Sequence, residues 1–114
     1  MADYLVLTLD VDDPDVQQAF WCGALSYDHV GGVGNYRALG DPAGKGPKML
    51  LQKVAEAKTA KNRLHLDLHV PDIDAEVARL SALGATSIEV VEEFGMRWVV
   101  MHDPEGNEFC VCKT

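Results

Sequence analysis

Arg63, His65, Asp67 and His69 alternate with Leu64, Leu66, Leu68 and Val70. Side chains two apart along a strand point the same way, so this spacing gathers a guanidinium, two imidazoles and a carboxylate in one row and the aliphatic groups in another. Such a row suits proton transfer. Histidine titrates near neutrality, a neighbouring aspartate can serve as a polar anchor, and an arginine beside them favours a carboxylate or phosphate on a substrate. His65 and Asp67 are therefore the candidate catalytic pair and Arg63 a candidate substrate-binding residue. The aliphatic row must pack on a helix, which leaves the polar row facing either water or a concave interior. The plain alternative is the wetted face of a half-solvated antiparallel sheet.

Other residues point to the same kind of space. Within Lys48 to Val54, Gln52 shares a face with Leu50 and Val54, and an amide among apolar neighbours needs a partner. A core glutamine paired internally would answer equally well. Trp98 alternates with Met96 and Val100 and suits an apolar wall of a ligand cleft. Trp21, near the end of the first helix, reads as core packing, and His102, just before an Asp-Pro turn, reads as turn packing. His29 and the segment Gly31 to Gly34 form either a mobile lip or an ordinary hairpin turn. Cys110-Val111-Cys112 sets two sulfurs on one strand face, a pattern that can hold a soft metal, but no second Cys/His pair stands at zinc-finger spacing.

The elements that must position these residues are legible from periodicity. Tyr4 to Val11 alternates as a strand, and Asp12-Asp13-Pro14-Asp15 supplies the cap and first turn of a helix predicted over residues 14 to 23, carrying Val16, Ala19 and Phe20 at helical spacing. Ser26 to Val30 and Tyr36 to Leu39 read as a hairpin around the glycine cluster, followed by a Gly/Pro-rich loop and a strand over residues 48 to 54. The pattern then begins again. Arg63 to Val70 is a strand, a helix starts at Asp72-Ile73-Asp74 and stops at Gly84, and strands follow at about Ser87 to Val91, Met96 to His102 and Glu108 to Cys112. Leu7 to Asp13 and Leu66 to Asp72 align at a constant offset that also pairs Asp15 with Asp74 and Ala19 with Ala78. Each half thus reads strand-helix-strand-strand-strand. One helix cannot cover both faces of its sheet, which gives duplication a physical reason.

Composition narrows the function classes. A chain of 114 residues supports one shared core, and 47% apolar with 25% charged residues is a globular balance. The net charge of -8 opposes binding to phosphate backbones and anionic lipid, so neither nucleic acid nor membrane is an expected partner. The densest basic stretch, Lys58, Lys61 and Arg63, has no interleaved aromatics and reads as a solvated connector. No apolar run spans a bilayer and no signal-like segment opens the chain, so a cytoplasmic location is expected, with Cys22, Cys110 and Cys112 reduced.

The run Asn62 to Leu68, the segment Val70-Pro71-Asp72-Ile73-Asp74-Ala75-Glu76 and the close Asp103-Pro104-Glu105-Gly106-Asn107-Glu108-Phe109-Cys110-Val111 resemble the glyoxalase-like branch of the vicinal-oxygen-chelate superfamily. So does the opening Leu9 to Pro14 leading to Ala19-Phe20-Trp21. The resemblance covers essentially the whole chain. It implies an α+β fold of paired βαβββ modules forming a cup-shaped or half-barrel sheet around a cleft, in a single domain over residues 1–114 with module one at 1–56 and module two at 62–114. It also implies a homodimer, and a small-molecule enzyme of lyase, isomerase or transferase type acting on a small, anionic or oxygen-rich metabolite. The alternative is a non-catalytic small-molecule or antibiotic-binding protein of the same fold.

Metal-dependent members draw ligands from the first and fourth strands of each module, usually two histidines and one or two glutamates. Carried onto this chain, the second-module histidine falls on His65. The first-module histidine position holds Val6 or, in a shifted register, Thr8, while the glutamate positions hold Gln52 and Cys110. That set is incomplete for a hard divalent cation, so no cofactor is required, and a divalent metal held by His65 and Cys110 is the metal candidate. Gln52, Trp98, Thr8 and Cys110 join Arg63 as expected substrate-binding residues.

Overall fold

The computed structural model describes all residues, 1–114. The elements run β1 (Val6–Val11), α1 (Pro14–Leu25), β2 (Asp28–Val33), β3 (Tyr36–Gly40) and β4 (Lys48–Lys53), then β5 (Leu66–Val70), α2 (Ile73–Leu83), β6 (Thr86–Glu93), β7 (Met96–His102) and β8 (Glu108–Lys113). They form two four-stranded open sheets ordered β1-β4-β3-β2 and β5-β8-β7-β6. In each, the first strand runs parallel to the fourth and the other neighbours are antiparallel. This is the expected α+β pattern of repeated βαβββ modules. The chain divides into compact units Met1–Ala57 and Lys58–Thr114.

Local chemistry explains where the helices begin and end. Asp13 caps α1 by accepting from the amides of Asp15 and Val16 at 3.1 and 3.2 Å, and Pro14 opens the first turn. The helix runs past Gly23 to Leu25, longer than its sequence suggests, because Ser26 adopts a left-handed conformation with φ 55° and the Tyr27 amide returns to the Cys22 carbonyl at 3.0 Å. Asp72 caps α2 through the Ala75 amide at 3.0 Å, and Gly84, with φ 119°, ends it. The buried stripe of α1 is Gln17, Phe20, Trp21 and Ala24, so Val16 and Ala19 lie outside it despite their apolar spacing. Phe20 meets Trp21 edge-on, with ring centroids 5.1 Å apart.

The first unit buries Val11, Phe20, Trp21, Leu39, Met49 and Leu51, and the second buries Ile73, Leu80, Val99, Met101, Phe109 and Val111. Burying a side chain of this kind contributes about 1.5–3 kcal/mol. Both cores lie on the helix-covered faces of their sheets, as the alternation along the strands requires. Each unit also ties its helix to its third strand by one ion pair, Arg37 to Asp15 at 2.6 Å in the first and Arg97 to Asp74 at 3.0 Å in the second.

Two expectations need correction. Strand β5 begins at Leu66, so Arg63, Leu64 and His65 approach it as a bend, and Leu64 is exposed rather than packed under the helix. The reason is Glu108: its carboxylate accepts from the Asn62 amide and from Lys58 Nζ, both at 3.0 Å, which ties the incoming chain to a side chain instead of the backbone ladder. In the first unit Gly31 and Gly32 belong to β2, and the turn is Gly34-Asn35. A Cβ on Gly32 would lie 2.5 Å from the Tyr36 carbonyl oxygen, so the glycine there permits close strand approach.

The turn Asp103 to Asn107 sets up β8. The buried Asp103 carboxylate accepts from the amides of Glu105 and Asn107, each at 2.9 Å, and from Asn107 Nδ2. Gly106 supplies the positive φ of 87°. An aspartate, a glycine and an asparagine at this spacing thus make a self-satisfied turn that aims Glu108, Cys110 and Cys112.

Candidate functional site

The open face of the second sheet is assembled by register. Asp67 lies opposite Cys110 and His69 opposite Cys112 across the parallel β5–β8 ladder. On the far side of β8, Val100 pairs with Cys110 and Trp98 with Cys112. Paired residues share a face, so carboxylate, imidazole, two thiols and an indole line one surface, opposite Leu66, Leu68 and Val70. His65 joins from the bend before β5, its Nε2 lying 3.3 Å from Asp67 Oδ1. Its side chain is 42% exposed and that of Asp67 49%, so both are open to an approaching molecule.

Donor atoms of His65, Asp67 and Cys110 lie within 4.8 Å of one another. Cys110 is 7% exposed, and its pKa is pushed up to about 11, first by burial and then by the Asp67 carboxylate, to which its thiol is also hydrogen-bonded. Near pH 7 it is therefore a neutral donor rather than a thiolate nucleophile. Burial, then Asp67, raises the Cys112 thiol as well. Glu108 behaves in the opposite way. Burial alone would raise it, but the Asn62 amide and the Lys58 ammonium outweigh that and hold its carboxyl at about 2. It is engaged in anchoring the segment before β5.

The remaining expected site residues are placed as follows. Arg63 is exposed in the bend, two positions before His65. Trp98 is half-buried and lines a hollow of about 830 Å³ at one end of the second sheet, together with His69, Pro71, Met96, Arg97 and Cys112. Thr8, exposed on β1, and Gln52, half-buried on β4, belong to the first unit. There Thr8 pairs with Leu50, and Gln52 pairs with Asp10 and Tyr36. His65, Asp67 and Cys110 are brought together; Trp98 stands one step along the ladder, beside Cys112. The His69–Cys112 partnership was missed by sequence reasoning, although both the polar row and the Cys-x-Cys pattern that contain it were visible.

The donor set decides how well the divalent metal of metal-dependent relatives fits. Of the four carried-over positions only His65 keeps its ligand type, and Cys110 presents a buried, protonated thiol where a glutamate would stand. An oxygen-rich site for a hard cation does not fit these residues.

The family model for the glyoxalase-like domain matches residues 6–112, so this chain belongs to the glyoxalase-like domain family. No curated protein matches the sequence. Among solved structures, a glyoxalase/bleomycin resistance protein/dioxygenase family enzyme from Burkholderia phytofirmans PsJN is 20% identical, with a TM-score of 0.80 and 98% of each chain covered. A genomically encoded fosfomycin resistance protein from Listeria monocytogenes is 14% identical, with a TM-score of 0.81, covering 100% of this chain and 94% of that one. A mutant of the Listeria protein, complexed with Mn(II) and 1S,2S-dihydroxypropylphosphonic acid, is 16% identical, with a TM-score of 0.81 and coverage of 98% and 90%. These likenesses show the shared fold, in agreement with the sequence resemblance.

Proposed function

We propose that this chain is a glyoxalase-like small-molecule enzyme that moves a proton on a small, oxygen-rich anion held against the open face of the second sheet. The observation that carries the reading is the His65–Asp67 contact at 3.3 Å, exposed and adjoining the Cys110 thiol. A carboxylate beside Nε2 favours the tautomer that carries its proton there, which leaves the His65 Nδ1 lone pair to take a proton from substrate. Arg63 supplies positive charge for a carboxylate or phosphonate group, the Cys110 thiol donates to Asp67 and so steadies that carboxylate, and Trp98 offers an apolar wall. The phosphonate held by the Listeria relative supports this ligand class.

A second reading, sequestration without turnover, is favoured by Val6 or Thr8, Gln52 and Cys110 standing where the resemblance puts the ligands of metal-dependent relatives. One experiment tests both. Isothermal titration with 1S,2S-dihydroxypropylphosphonic acid and simple 2-hydroxy carboxylates, in the presence of chelator, should show saturable binding that weakens at least about 10-fold in His65→Ala and in Arg63→Ala, the loss expected for a charge-assisted hydrogen bond. Deuterium exchange at the ligand's carbon, followed by NMR, then separates turnover from sequestration. Undiminished binding in His65→Ala removes the proposed site.

A further inference from the structure

The same sheet carries a second constellation, further along the ladder, that shares Asp67 with the first. Asp67, His69 and Cys112 place a carboxylate oxygen, an imidazole nitrogen and a sulfur within 4.8 Å of one another. The parallel register sets His69 directly opposite Cys112, so the relation of nitrogen to sulfur is built into the β5–β8 pairing. It does not depend on a flexible loop.

Two further observations mark His69 and Cys112 as ligands. His69 Nδ1 lies 3.3 Å from the Lys113 carbonyl oxygen. A carbonyl only accepts, so in this contact Nδ1 is the donor and Nε2 is the ring nitrogen left to a metal. A backbone carbonyl on the other ring nitrogen is the arrangement that fixes the tautomer and orientation of metal-binding histidines. In addition, His69 and Cys112 both line the hollow of about 830 Å³, whereas His65, Asp67 and Cys110 are not among its walls. A metal bound by His69 and Cys112 is reached from that hollow, with Asp67 closing the set from the sheet side. Cys110 is 7% exposed, with its thiol bonded to Asp67.

We infer that Asp67, His69 and Cys112 form a zinc site within the second module, with its open coordination position facing the hollow beside Trp98 and Met96. The mixed oxygen, nitrogen and sulfur set suits a borderline-soft ion that takes three protein ligands and keeps a fourth position open. Tetrahedral zinc with bonds of about 2.0–2.3 Å brings its ligand atoms to within roughly 3–4 Å of one another, so side-chain rotation of under about 1 Å per donor closes the set. Zinc binding forms the metal–sulfur bond as Cys112 releases its thiol proton to solvent. The hard-cation positions of metal-dependent relatives play no part; Asp67 is shared with the proton-transfer reading, whereas His69 and Cys112 belong to the zinc site alone.

The test is titration of the reduced, full-length chain with cobalt(II) and zinc(II), following the sulfur-to-cobalt charge-transfer band and competition with a chromophoric chelator. One equivalent should give the band. Cys112→Ser should abolish it, and His69→Ala should weaken affinity at least about 100-fold, whereas His65→Ala and Cys110→Ser should retain it. Cys112→Ser is nearly isosteric, and circular dichroism confirms that each variant is folded. Absence of the band in the wild type, or a band lost in His65→Ala and Cys110→Ser but kept in Cys112→Ser, overturns the assignment. Loss of phosphonate binding in His65→Ala with the cobalt band intact would leave the zinc site standing by itself.

Discussion

The two modules are built alike and equipped differently. Each has an aspartate-capped helix, a parallel pairing of first and fourth strands, and an arginine on the third strand bridged to an aspartate in the helix's first turn. On the open sheet faces the likeness ends. The first module presents Val6, Thr8, Asp10, Leu50 and Gln52, whereas the second presents Asp67, His69, Cys110, Cys112 and Trp98, with His65 alongside. What a βαβββ unit needs in order to fold recurs in both copies, and the residue types suited to chemistry are concentrated in one. Duplication therefore leaves one face free to diverge while the helix-covered face keeps the packing.

The sharpest way to break this comparison is at the shared cores. Leu51→Ala in the first module and Leu80→Ala in the second each remove a fully buried side chain, and each should cost about 2–5 kcal/mol in denaturant unfolding. A much smaller loss at one position would show that the two packed faces are not equivalent.

The difference between the open faces is tested next by thiol chemistry. With its pKa near 11 against 9.0 for a free thiol, Cys110 should react with iodoacetamide at pH 7.5 at least about 100-fold more slowly than in the unfolded chain, as mass spectrometry of the alkylated peptide would report. The folded state favours the thiol, so this contribution to stability is complete below about pH 9 and is lost as pH rises through about 11.

A third prediction concerns Glu108, at the corresponding end of the same strand. Its folded pKa of about 2 lies below the ordinary 4.5, so its contribution is present above about pH 4.5 and is lost as pH falls toward 2. Glu108→Gln should cost on the order of 1–3 kcal/mol at pH 7, by loss of charge-assisted bonds to Lys58 and the Asn62 amide. The difference from wild type should shrink in melts at about pH 2–3. The smallest effects come from the matched caps. Asp13→Ala and Asp72→Ala should each destabilise by about 1 kcal/mol, and equal shifts in thermal melting would support the structural equivalence of the modules.

Much of the frame was readable because its causes are local. Asp72 ahead of an apolar periodic run and Gly84 behind it delimit α2 through hydrogen bonds within a few residues, and the Asp103 to Asn107 turn satisfies itself in the same way. Where a distant group intervenes, sequence reasoning slips. Arg63 to His65 continue the alternation of β5 without joining it, because Glu108 binds the Asn62 amide from the other end of the module. The left-handed Ser26 lengthens α1 beyond its apparent stop at Gly23 for a reason no periodicity carries.

The candidate site divides along the same line. The alternation of leucines with charged and imidazole groups determined that Asp67 and His69 would avoid the helix-packed face, since side-chain direction along a strand is a property of the strand alone. Which thiol each would meet was decided only when β5 and β8 paired. Register across a parallel ladder sets Asp67 against Cys110 and His69 against Cys112, and it arises from packing and hydrogen bonding between segments far apart in the chain.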